Sequence, residues 1–558
     1  MTIKKILIAN RGEIAVRIIR TAREMGIASV AVYSDADRDA LHVRLADEAY
    51  RLGPAPPSQS YLDTKKLIEC AQRARADAMH PGYGFLAENA AFARSVTAAG
   101  LTWIGPNPSA IDAMGDKLRA RSVMRKAGVP VVPGGMEAIP DVAAARQAAQ
   151  RYGLPLALKA AGGGGGKGLK IAYSVDDLDS AFETARREAE AYFKNGTLYA
   201  ERYLENPKHV ELQILGDKHG NVVHLGERDC SLQRRHQKVW EETPAQVSER
   251  VRNAMREAGV RASKAITYDS AGTLECLVSG DEFYFLEMNT RIQVEHTVSE
   301  MVTGLDLVRE QIRVAAGEPL GYDQSAIAMQ GFAIEGRVNA EDPSQGFRPA
   351  PGTIAAYREP AGLGVRVDSA AFSGWTIPQQ YDSLIAKLIV WAPTRPAAIA
   401  RLRRAIDEYD IEGLPTTLPL LRALCDVPSV ADATYGTATL EAFVQIWRPA
   451  SVNGMSSPRS ARATAPAHGR RLAPRLNALH KRRASESGDD VISPMHGLIV
   501  EMRVREGEAV AEGQVVAVIE AMKMMNEIRA HSSGTVTSVH ATAGNSVETG
   551  SPLITIGV

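Results

Sequence analysis

A lysine between two methionines lies near the C-terminus, within a run of short apolar segments. The motif Ala521-Met522-Lys523-Met524 is about 35 residues from the last residue. Apolar segments at 497–504, 514–519, 534–539 and 552–556 are separated by turn-forming residues, which predicts a compact all-β module. An isolated lysine is normally an ordinary surface residue. Because this one follows a strand pattern directly, we expect it at a hairpin tip with its amine exposed.

This module resembles the biotinyl (biotin carboxyl carrier) domain. The motif, its distance from the C-terminus and the upstream segment Ser493-Pro494-Met495-His496-Gly497 all agree with that family. The resemblance implies a flattened β-barrel at 491–558 in which a biotin protein ligase attaches biotin to Lys523. A lipoyl domain is the nearest alternative. It shares the fold, but its lysine typically follows Asp and lacks the flanking methionines.

The length of 558 residues predicts several domains, because single hydrophobic cores stop growing well below that size. The apolar fraction of 45% and the charged fraction of 23% are those of a soluble globular protein. The formal net charge is +0, so the overall balance gives no indication of nucleic acid or an anionic membrane as a partner.

The four cysteines are scattered along the chain without a CxxC pair. This argues against a disulfide framework or a zinc site and suits a reducing compartment. No apolar run is long enough to span a bilayer. The N-terminus enters a strand pattern directly, so no signal peptide is expected and the cytoplasm is the predicted location.

The first part of the chain has a βαβ pattern. A buried-type strand at 6–9 is followed by a helical periodicity at 13–25 and a second apolar strand at 29–33. The turn Asn10-Arg11-Gly12 is not GxGxxG, so dinucleotide binding has weak support. Further on, the segment His80–Leu86 combines turn-formers with aromatic rings, which predicts a shaped loop rather than core packing.

The strongest phosphate-binding pattern is a glycine run at 162–168. It lies between predicted strands at 156–160, which carries Lys159, and at 169–172. Glycines let backbone N–H groups close over phosphate oxygens, where a side chain would interfere. A flexible linker is the alternative, but the run is tightly bounded by strands and contains no serine. No Ser or Thr follows Lys167, so this is not a Walker loop.

Two carboxylates lie on a predicted hairpin. Glu275 falls in the apolar strand 272–278 and Glu287 in the strand 283–288, with Gly280-Asp281 between them. Paired strands can bring two such side chains to the same cations. Carboxylate oxygens suit Mg²⁺, which would bridge nucleotide phosphates.

The segment that follows this hairpin, Glu287-Met288-Asn289-Thr290-Arg291-Ile292-Gln293-Val294-Glu295-His296, resembles the biotin carboxylase signature. The segments Asn10–Glu13, Glu227–Ser231 and Gln233–Lys238 resemble the same family, and the resemblance covers roughly residues 1–447. It implies an ATP-grasp enzyme that carboxylates biotin with ATP and bicarbonate. One departure is Thr297, where the family usually has Pro.

The resemblance also implies the roles of individual residues. Those assigned to the nucleotide are Lys117, Lys159, Gly164, Gly165, Gly166, Glu201, Arg202, Tyr203, Leu204, His209, Gln233, His236 and Leu277. Those assigned to Mg²⁺ or Mn²⁺ are Glu275, Glu287 and Asn289. Bicarbonate is assigned to Lys238, Arg291, Gln293 and Val294, and the biotin pocket to Tyr83, Arg337 and Asp382. Glu295 is the expected general base, with Arg337, Arg291 and Lys238 as the other catalytic residues.

The predicted fold class is a multidomain α/β (α+β) protein. Its parts are an N-terminal βαβ domain at 1–115, an ATP-grasp domain at 116–329, a mixed domain at 330–447, a linker at 448–490 and the all-β module. Residues 449–490 contain eight Lys/Arg and three Asp/Glu, with few aromatic or β-branched residues. Leu472, Leu476 and Leu479 have the spacing of one face of a short helix.

The expected function is biotin carboxylation as the first half-reaction of an acyl-CoA carboxylase. A separate carboxyltransferase β subunit would complete the reaction, and the carboxylase part is expected to form a homo-oligomer. Three alternatives remain open. The acceptor could be pyruvate or another molecule, the chain could be a non-catalytic ATP-binding scaffold with a carrier tail, or it could be an ATP-grasp ligase with a lipoylated arm.

Overall fold

The structure is a computed structural model that describes residues 2–135, 137–160, 168–193, 195–235, 237–448, 490–521 and 524–557. The chain divides into two units. The larger contains Met1–Ala340, Gly352–Pro378 and Leu384–Ile446, and the smaller contains Glu341–Pro351, Gln379–Ser383 and Trp447–Val558. No helix among the described residues is long and apolar enough to cross a membrane. The predicted leucine face at 472–479 lies outside the described residues.

The N-terminal part of the larger unit is a parallel five-stranded sheet with strand order β3-β2-β1-β4-β5. Its strands are β1 (Lys5–Ile8), β2 (Ala28–Ser34), β3 (Glu48–Gly53), β4 (Ala78–His80) and β5 (Thr102–Trp103). Its helices are α1 (Gly12–Glu24), α2 (Leu41–Leu45), α3 (Thr64–Ala74), α4 (Ala90–Ala98) and α5 (Pro108–Gly115). Helix α1 buries Ile14 and Ile18, as the period of its apolar residues predicts. The predicted βαβ pattern is therefore confirmed.

A small three-stranded antiparallel sheet, with order β7-β6-β8, follows in the chain. Its strands are β6 (Leu156–Ala160), β7 (Leu169–Ala172) and β8 (Leu198–Arg202), and the neighbouring helices are α6 (Lys117–Lys126), α7 (Val142–Tyr152) and α8 (Leu178–Phe193). The side chain of Asp116 caps α6 by accepting from the Arg119 N–H. Both strands predicted beside the glycine run are present with the expected bounds.

The largest sheet has eight strands in the order β13-β12-β9-β10-β11-β14-β19-β18, all antiparallel where pairing is described. Its strands are β9 (Lys208–Gly216), β10 (Val222–Arg234), β11 (Gln237–Thr243), β12 (Ala271–Ser279), β13 (Glu282–Asn289), β14 (Phe332–Asn339), β18 (Val365–Ser369) and β19 (Leu384–Ala392). Helices α9 (Glu249–Ala265), α10 (His296–Thr303) and α11 (Leu307–Ala315) belong to the same stretch. The predicted hairpin around Gly280-Asp281 is β12–β13.

The rest of the larger unit consists of a strand before β18 and of the elements after β19. It comprises β17 (Ala356–Arg358), α12 (Arg395–Glu408), β20 (Asp410–Glu412), α13 (Leu418–Leu424), α14 (Pro428–Ala431) and α15 (Thr439–Ile446). Strand β17 pairs with β20. Short 3₁₀ helices cover Asp35–Asp37, Pro57–Gln59, Gln324–Ala326 and, in the smaller unit, Pro343–Gln345. All four cysteines of the chain are buried and free, consistent with the absence of a disulfide framework.

The C-terminal part of the smaller unit consists of two four-stranded sheets, β21-β28-β26-β23 and β25-β24-β22-β27. The smaller unit contains β15 (Glu341–Asp342), β16 (Arg348–Pro349), β21 (Asp490–Ile492), β22 (Gly497–Met502), β23 (Ala509–Val510), β24 (Val515–Ala521), β25 (Met524–Arg529), β26 (Gly534–Val539), β27 (Ser546–Val547) and β28 (Pro552–Gly557). Antiparallel β24 and β25 place Ala521 opposite Met524, as a hairpin requires. Lys523 itself lies outside the described residues.

Candidate active site

A cavity of about 440 Å³ is lined by side chains from α6, the small sheet and the large sheet. Predicted site residues around it are Lys117, Lys159, Glu201, His209, Gln233, Lys238, Glu275, Glu287, Asn289, Arg291, Gln293, Val294, Glu295 and Arg337. Antiparallel pairing of strands brings together residues far apart in sequence, and half of these side chains are carried by β9–β14. The structure therefore gathers most of the predicted set in one place.

Glu275 and Glu287 are direct cross-strand partners in the β12–β13 hairpin. The Asn289 amide donates to Glu275 Oε1 at 2.9 Å. Burial alone would raise the pKa of Glu275, but Lys238 and His209 together hold it well below its usual value. Burial and the nearby Glu275 carboxylate raise the pKa of Glu287. Two close carboxylates with this mutual repulsion fit a site for a hard divalent cation.

Lys238 is the central cation of the cavity. Its Nζ donates to Glu211 at 2.6 Å, to Glu275 at 3.0 Å and to Glu295 at 2.5 Å. Glu295 also accepts from Arg337 Nη2 at 2.9 Å. Burial would raise the pKa of Glu295, but Lys238 and Arg337 hold it far below its usual value. Glu295 is therefore an ionised carboxylate, the form that a proton acceptor requires.

Two arginines add positive charge around Glu295. Arg337 Nε donates to Glu241 at 2.6 Å, and Arg291 Nε donates to Glu88 at 2.8 Å. Arg291 Nη2 also donates to the side-chain oxygen of Asn289 at 2.9 Å. Each guanidinium is thus oriented by a carboxylate that was absent from the predicted site. Cations held in this way can receive a small anion in the cavity without reorganising.

The other end of the cavity carries Lys159, Arg121 and Lys117. Lys159 and Arg121 both donate to the Glu201 carboxylate, and Lys117 Nζ lies 3.9 Å from Glu287 Oε2. Burial, and then the charges of Arg121 and Lys117, lower the pKa of Lys159 to about 7. Lys159 and Arg121 share the single Glu201 carboxylate, and Lys117 lies farther from Glu287 than a hydrogen bond allows, so this end of the cavity favours a polyphosphate.

An apolar cluster adjoins this end of the cavity. Val132 lines the cavity and packs with Leu204 and Tyr284, with Leu277 against them. Leu204 and Leu277 were both predicted to contact the nucleotide. Flat apolar surfaces beside a polar cavity can accept a heterocyclic base.

Several predicted residues are not among those that line the cavity. In the larger unit these are Arg202, Tyr203, Leu204, Leu277 and Tyr83. Asp382 is also not among the lining residues, and it belongs to the smaller unit. Gly164, Gly165, Gly166 and His236 lie outside the described residues. The Tyr83 hydroxyl donates to Glu13 of α1.

Sequence reasoning missed the buried residues that orient the site. Arg228 is fully buried and donates to Glu211 at 2.5 Å and to the Gln293 side chain at 2.9 Å. It thereby orients Glu211, which pairs with Lys238, and Gln293, which was predicted to bind bicarbonate. The segment Glu227–Ser231 contained a usable signal, because it places Arg228 among three charged residues of a strand. Also missed were three residues that each pair with a predicted one: Glu88, Arg121 and Glu241.

Family models match four consecutive parts of the chain. They are "Biotin carboxylase, N-terminal domain" at residues 2–111, "Carbamoyl-phosphate synthase L chain, ATP binding domain" at 116–322, "Biotin carboxylase C-terminal domain" at 335–442 and "Biotin-requiring enzyme" at 489–556. The fold class predicted from the sequence, an α/β multidomain protein with a C-terminal all-β biotinyl domain, is confirmed.

Two curated relatives illustrate the similarity. The chain is 50% identical to biotin carboxylase 1 of Bacillus subtilis over 79% of this chain and 99% of that protein. It is 43% identical to the biotin-dependent acyl-coenzyme A carboxylase alpha3 subunit of Mycobacterium leprae over 99% of this chain and 98% of that protein.

Solved structures agree in fold. A biotin carboxylase complex with β,γ-ATP from Campylobacter jejuni is 46% identical, with a TM-score of 0.75 over 79% of this chain and 99% of that one. A second structure is the biotin carboxylase domain dimer of Hydrogenobacter thermophilus 2-oxoglutarate carboxylase, with MgADP, ADP and bicarbonate. It is 48% identical, with a TM-score of 0.75 over 79% of this chain and 98% of that one. With matched relatives at this identity over nearly their whole length, the chain belongs to the biotin carboxylase family.

Proposed function

We propose that the chain carboxylates biotin carried on Lys523, using ATP and bicarbonate, as the α subunit of an acyl-CoA carboxylase. The observation that carries this proposal is the match to an acyl-CoA carboxylase alpha subunit over 99% of this chain and 98% of that protein. The proposed domain borders follow residues 115, 329, 447 and 490. A separate carboxyltransferase subunit would transfer the carboxyl group to the acyl-CoA, and a biotin protein ligase would load Lys523.

The nucleotide would occupy the end of the cavity that carries Lys117 and Lys159. Its phosphates would meet the positive charge there, and its base would lie against Leu204 and Leu277. Glu275 and Glu287, with Asn289, would hold Mg²⁺ or Mn²⁺, because their opposed carboxylates fit a divalent cation. A bound cation supplies neutralisation of the phosphate charge.

Bicarbonate would lie among Lys238, Arg291, Gln293 and Val294, in the same cavity that Arg337 lines. Glu295 would accept the bicarbonate proton, so that a bicarbonate oxygen can attack the γ-phosphate of ATP. This step would displace ADP and form carboxyphosphate. The low pKa of Glu295 depends on Lys238 and Arg337. An anion that takes up part of their charge would make Glu295 a better proton acceptor.

Biotin would bind beside Tyr83 and Arg337. The Arg337 guanidinium would stabilise negative charge on the ureido oxygen, as an oxyanion donor does. The carboxylate of Glu241 holds Arg337 Nε at 2.6 Å and so orients it for this role. The acyl-CoA acceptor would bind only to the carboxyltransferase subunit.

The first test uses the purified biotinylated chain and measures ATP hydrolysis as bicarbonate is varied. We expect hydrolysis that depends on bicarbonate, with Glu295→Gln lowering it about 10²–10⁴-fold while nucleotide affinity is retained. A non-catalytic scaffold would hydrolyse no ATP, whether bicarbonate is present or absent. Near-normal turnover in Glu295→Gln would remove Glu295 from the role of base.

The acceptor needs a second measurement. A pyruvate carboxylase subunit of Methanothermobacter thermautotrophicus is 51% identical, but over only 75% of this chain, and it represents the main alternative acceptor class. The chain would be combined with the carboxyltransferase that co-purifies with it, and labelled bicarbonate would be offered with acetyl-CoA, propionyl-CoA, methylcrotonyl-CoA, pyruvate or 2-oxoglutarate. Label in pyruvate or 2-oxoglutarate alone would contradict the acyl-CoA proposal.

A further inference from the structure

Lys387 is a fully buried lysine that lies outside the predicted site. It belongs to β19, and its side chain has 0% exposure. Lysine is almost never fully buried unless its charge is paired, because removing the ammonium from water is costly. Its Nζ donates to the Val294 carbonyl at 2.9 Å and lies 3.3 Å from Glu13 Oε2. A second carboxylate, that of Asp368, is 3.9 Å away.

The contact with Val294 lies at the side of the cavity where bicarbonate is proposed to bind. Val294 lies between Gln293 and Glu295, and all three residues line the cavity. A charge-assisted hydrogen bond to the intervening carbonyl restrains the peptide that joins them. The direction of the Glu295 side chain toward Lys238 depends on the orientation of this short backbone segment.

The contact with Glu13 leads to the loop that carries Tyr83. Glu13 is in the first turn of α1, and its other carboxylate oxygen accepts from the Tyr83 hydroxyl. The Asn10 side-chain amide donates to the carbonyls of Pro81 and Tyr83, both at 2.7 Å, which fixes the backbone of the same loop. Lys387 Nζ is also 6.0 Å from the centre of the Tyr83 ring. Tyr83 therefore has both its backbone and its hydroxyl restrained.

We infer that Lys387 and Glu13 are positioning residues that couple the bicarbonate side of the cavity, through the Val294 carbonyl, to the proposed biotin pocket, through the Tyr83 hydroxyl. The inference rests on the proposed function. Any buried ion pair needs further hydrogen-bond partners, so the identity of those partners carries the argument: they are the Val294 carbonyl and the Tyr83 hydroxyl. Here each end of the Lys387–Glu13 pair reaches one of the two proposed substrate subsites.

The test measures KM for bicarbonate, free biotin and ATP in three variants of the full biotinylated chain. Lys387→Met removes the charge and keeps the length, and we expect KM to rise about 10- to 100-fold for both bicarbonate and biotin, since small misplacements at a reacting centre have effects of this size. KM for ATP should stay within about twofold of the wild-type value, because Lys387, Glu13 and Tyr83 do not contact the Lys159 end of the cavity.

Two milder variants decide the question if Lys387→Met fails to fold. Glu13→Gln keeps an acceptor for Tyr83 and removes the attraction to Lys387, and Tyr83→Phe removes only the hydroxyl. Both should raise KM for bicarbonate as well as for biotin. Lys5→Met is the matched control, because Lys5 Nζ likewise pairs with a carboxylate, Glu48 at 2.6 Å, and a carbonyl, Ala74 at 2.9 Å, and should leave all three KM values unchanged.

The outcomes separate this inference from the proposed function. If the wild-type chain shows no bicarbonate-dependent ATP hydrolysis, the proposed function fails. If it does, and Tyr83→Phe and Glu13→Gln leave KM for bicarbonate unchanged, the coupling is overturned. Equal changes in all three KM values would indicate a general structural role and would also overturn it.

Discussion

Glu201 is shared by Lys159 and Arg121, and Lys159 sits at the proposed phosphate end of the cavity. Burial, followed by the charges of Arg121 and Lys117, lowers the pKa of Lys159 to about 7. At pH 8 the unliganded lysine is therefore mostly neutral. A bound polyphosphate supplies opposite charge, which favours the protonated form and raises this pKa.

Nucleotide binding at pH 8 should therefore take up close to one proton, and much less at pH 6, where Lys159 is already charged. The measurement is titration calorimetry with MgADP in buffers of different ionisation enthalpy. Lys159→Arg is the matched control, because arginine stays charged throughout. Equal proton uptake by Lys159→Arg and the wild type would show that another group is responsible.

Thr297 offers a second prediction at the level of single residues. It is fully buried, and its hydroxyl donates to Glu335, whose pKa is raised by burial and, among the surrounding charges, by Glu241. Thr297→Val leaves this carboxyl without its donor and should cost about 1–3 kcal/mol in the free energy of unfolding. Thr297→Ser keeps the hydroxyl and should cost less. Urea denaturation measures both, and equal losses would mean that packing of the methyl group, not the hydrogen bond, is what matters.

At the level of elements, the large sheet depends on close approach between β9 and the segment before β12. An added Cβ at Gly216, the last residue of β9, would lie 2.2 Å from the Tyr268 carbonyl oxygen. The Tyr268 N–H donates to Ser263 in α9 at 3.0 Å, so the Tyr268 backbone is held in place. Glycine is required here by space rather than by a positive φ.

Gly216→Ala should therefore lower the free energy of unfolding by about 1–3 kcal/mol, as overpacking against fixed atoms does. Gly115→Ala is the matched control at the end of α5, where an added Cβ would meet nothing within 4 Å. Alanine is favoured over glycine in helices, so Gly115→Ala should be neutral or stabilise by up to about 1 kcal/mol. Thermal unfolding of both variants checks the pair, and a neutral Gly216→Ala would contradict the steric argument.

At the scale of the whole molecule, the C-terminal module and the larger unit that contains the cavity have separate hydrophobic cores. The C-terminal module has its own core, which includes Ile499, Val516, Ile519 and Ile554. The larger unit is built around several others, among them the core that joins α1 to α11 and the core under β9 and β12. The chemistry proposed for the cavity should therefore not require biotin on the carrier, provided that free biotin is supplied.

Lys523→Arg should abolish biotinylation and leave carboxylation of free biotin intact. Lys523 is the only lysine in residues 490–558, and arginine offers no neutral amine for acylation at ordinary pH. Streptavidin blotting of the full chain measures the first effect and fixation of labelled bicarbonate the second. Lys481→Arg, just before the module, is the control that should stay biotinylated. A signal from the Lys523→Arg chain would show that biotin is attached elsewhere, and lipoate in the intact mass would exclude biotin.

Features that depend on neighbours along the chain could be predicted from the residue pattern. The strands at 156–160 and 169–172, the β12–β13 hairpin and the helix α1 all followed from apolar period and turn residues, which are local properties. The opposition of Glu275 and Glu287 did not follow in this way. The turn sets Cys276 opposite Phe285, and a β-bulge between Glu275 and Cys276 then shifts the pairing so that Glu275 faces Glu287.

The pairing of the charges, in contrast, depends on contacts between distant parts of the chain. Lys238 joins Glu211, Glu275 and Glu295 because the order of the large sheet brings β9, β11 and β12 to one cavity. Lys387 reaches Glu13 across more than 370 positions in the chain. Such contacts are set by non-local strand pairing and burial, which turn ordinary surface-type residues into strongly interacting groups. No local pattern carries that information, because a buried charge looks the same in sequence as an exposed one.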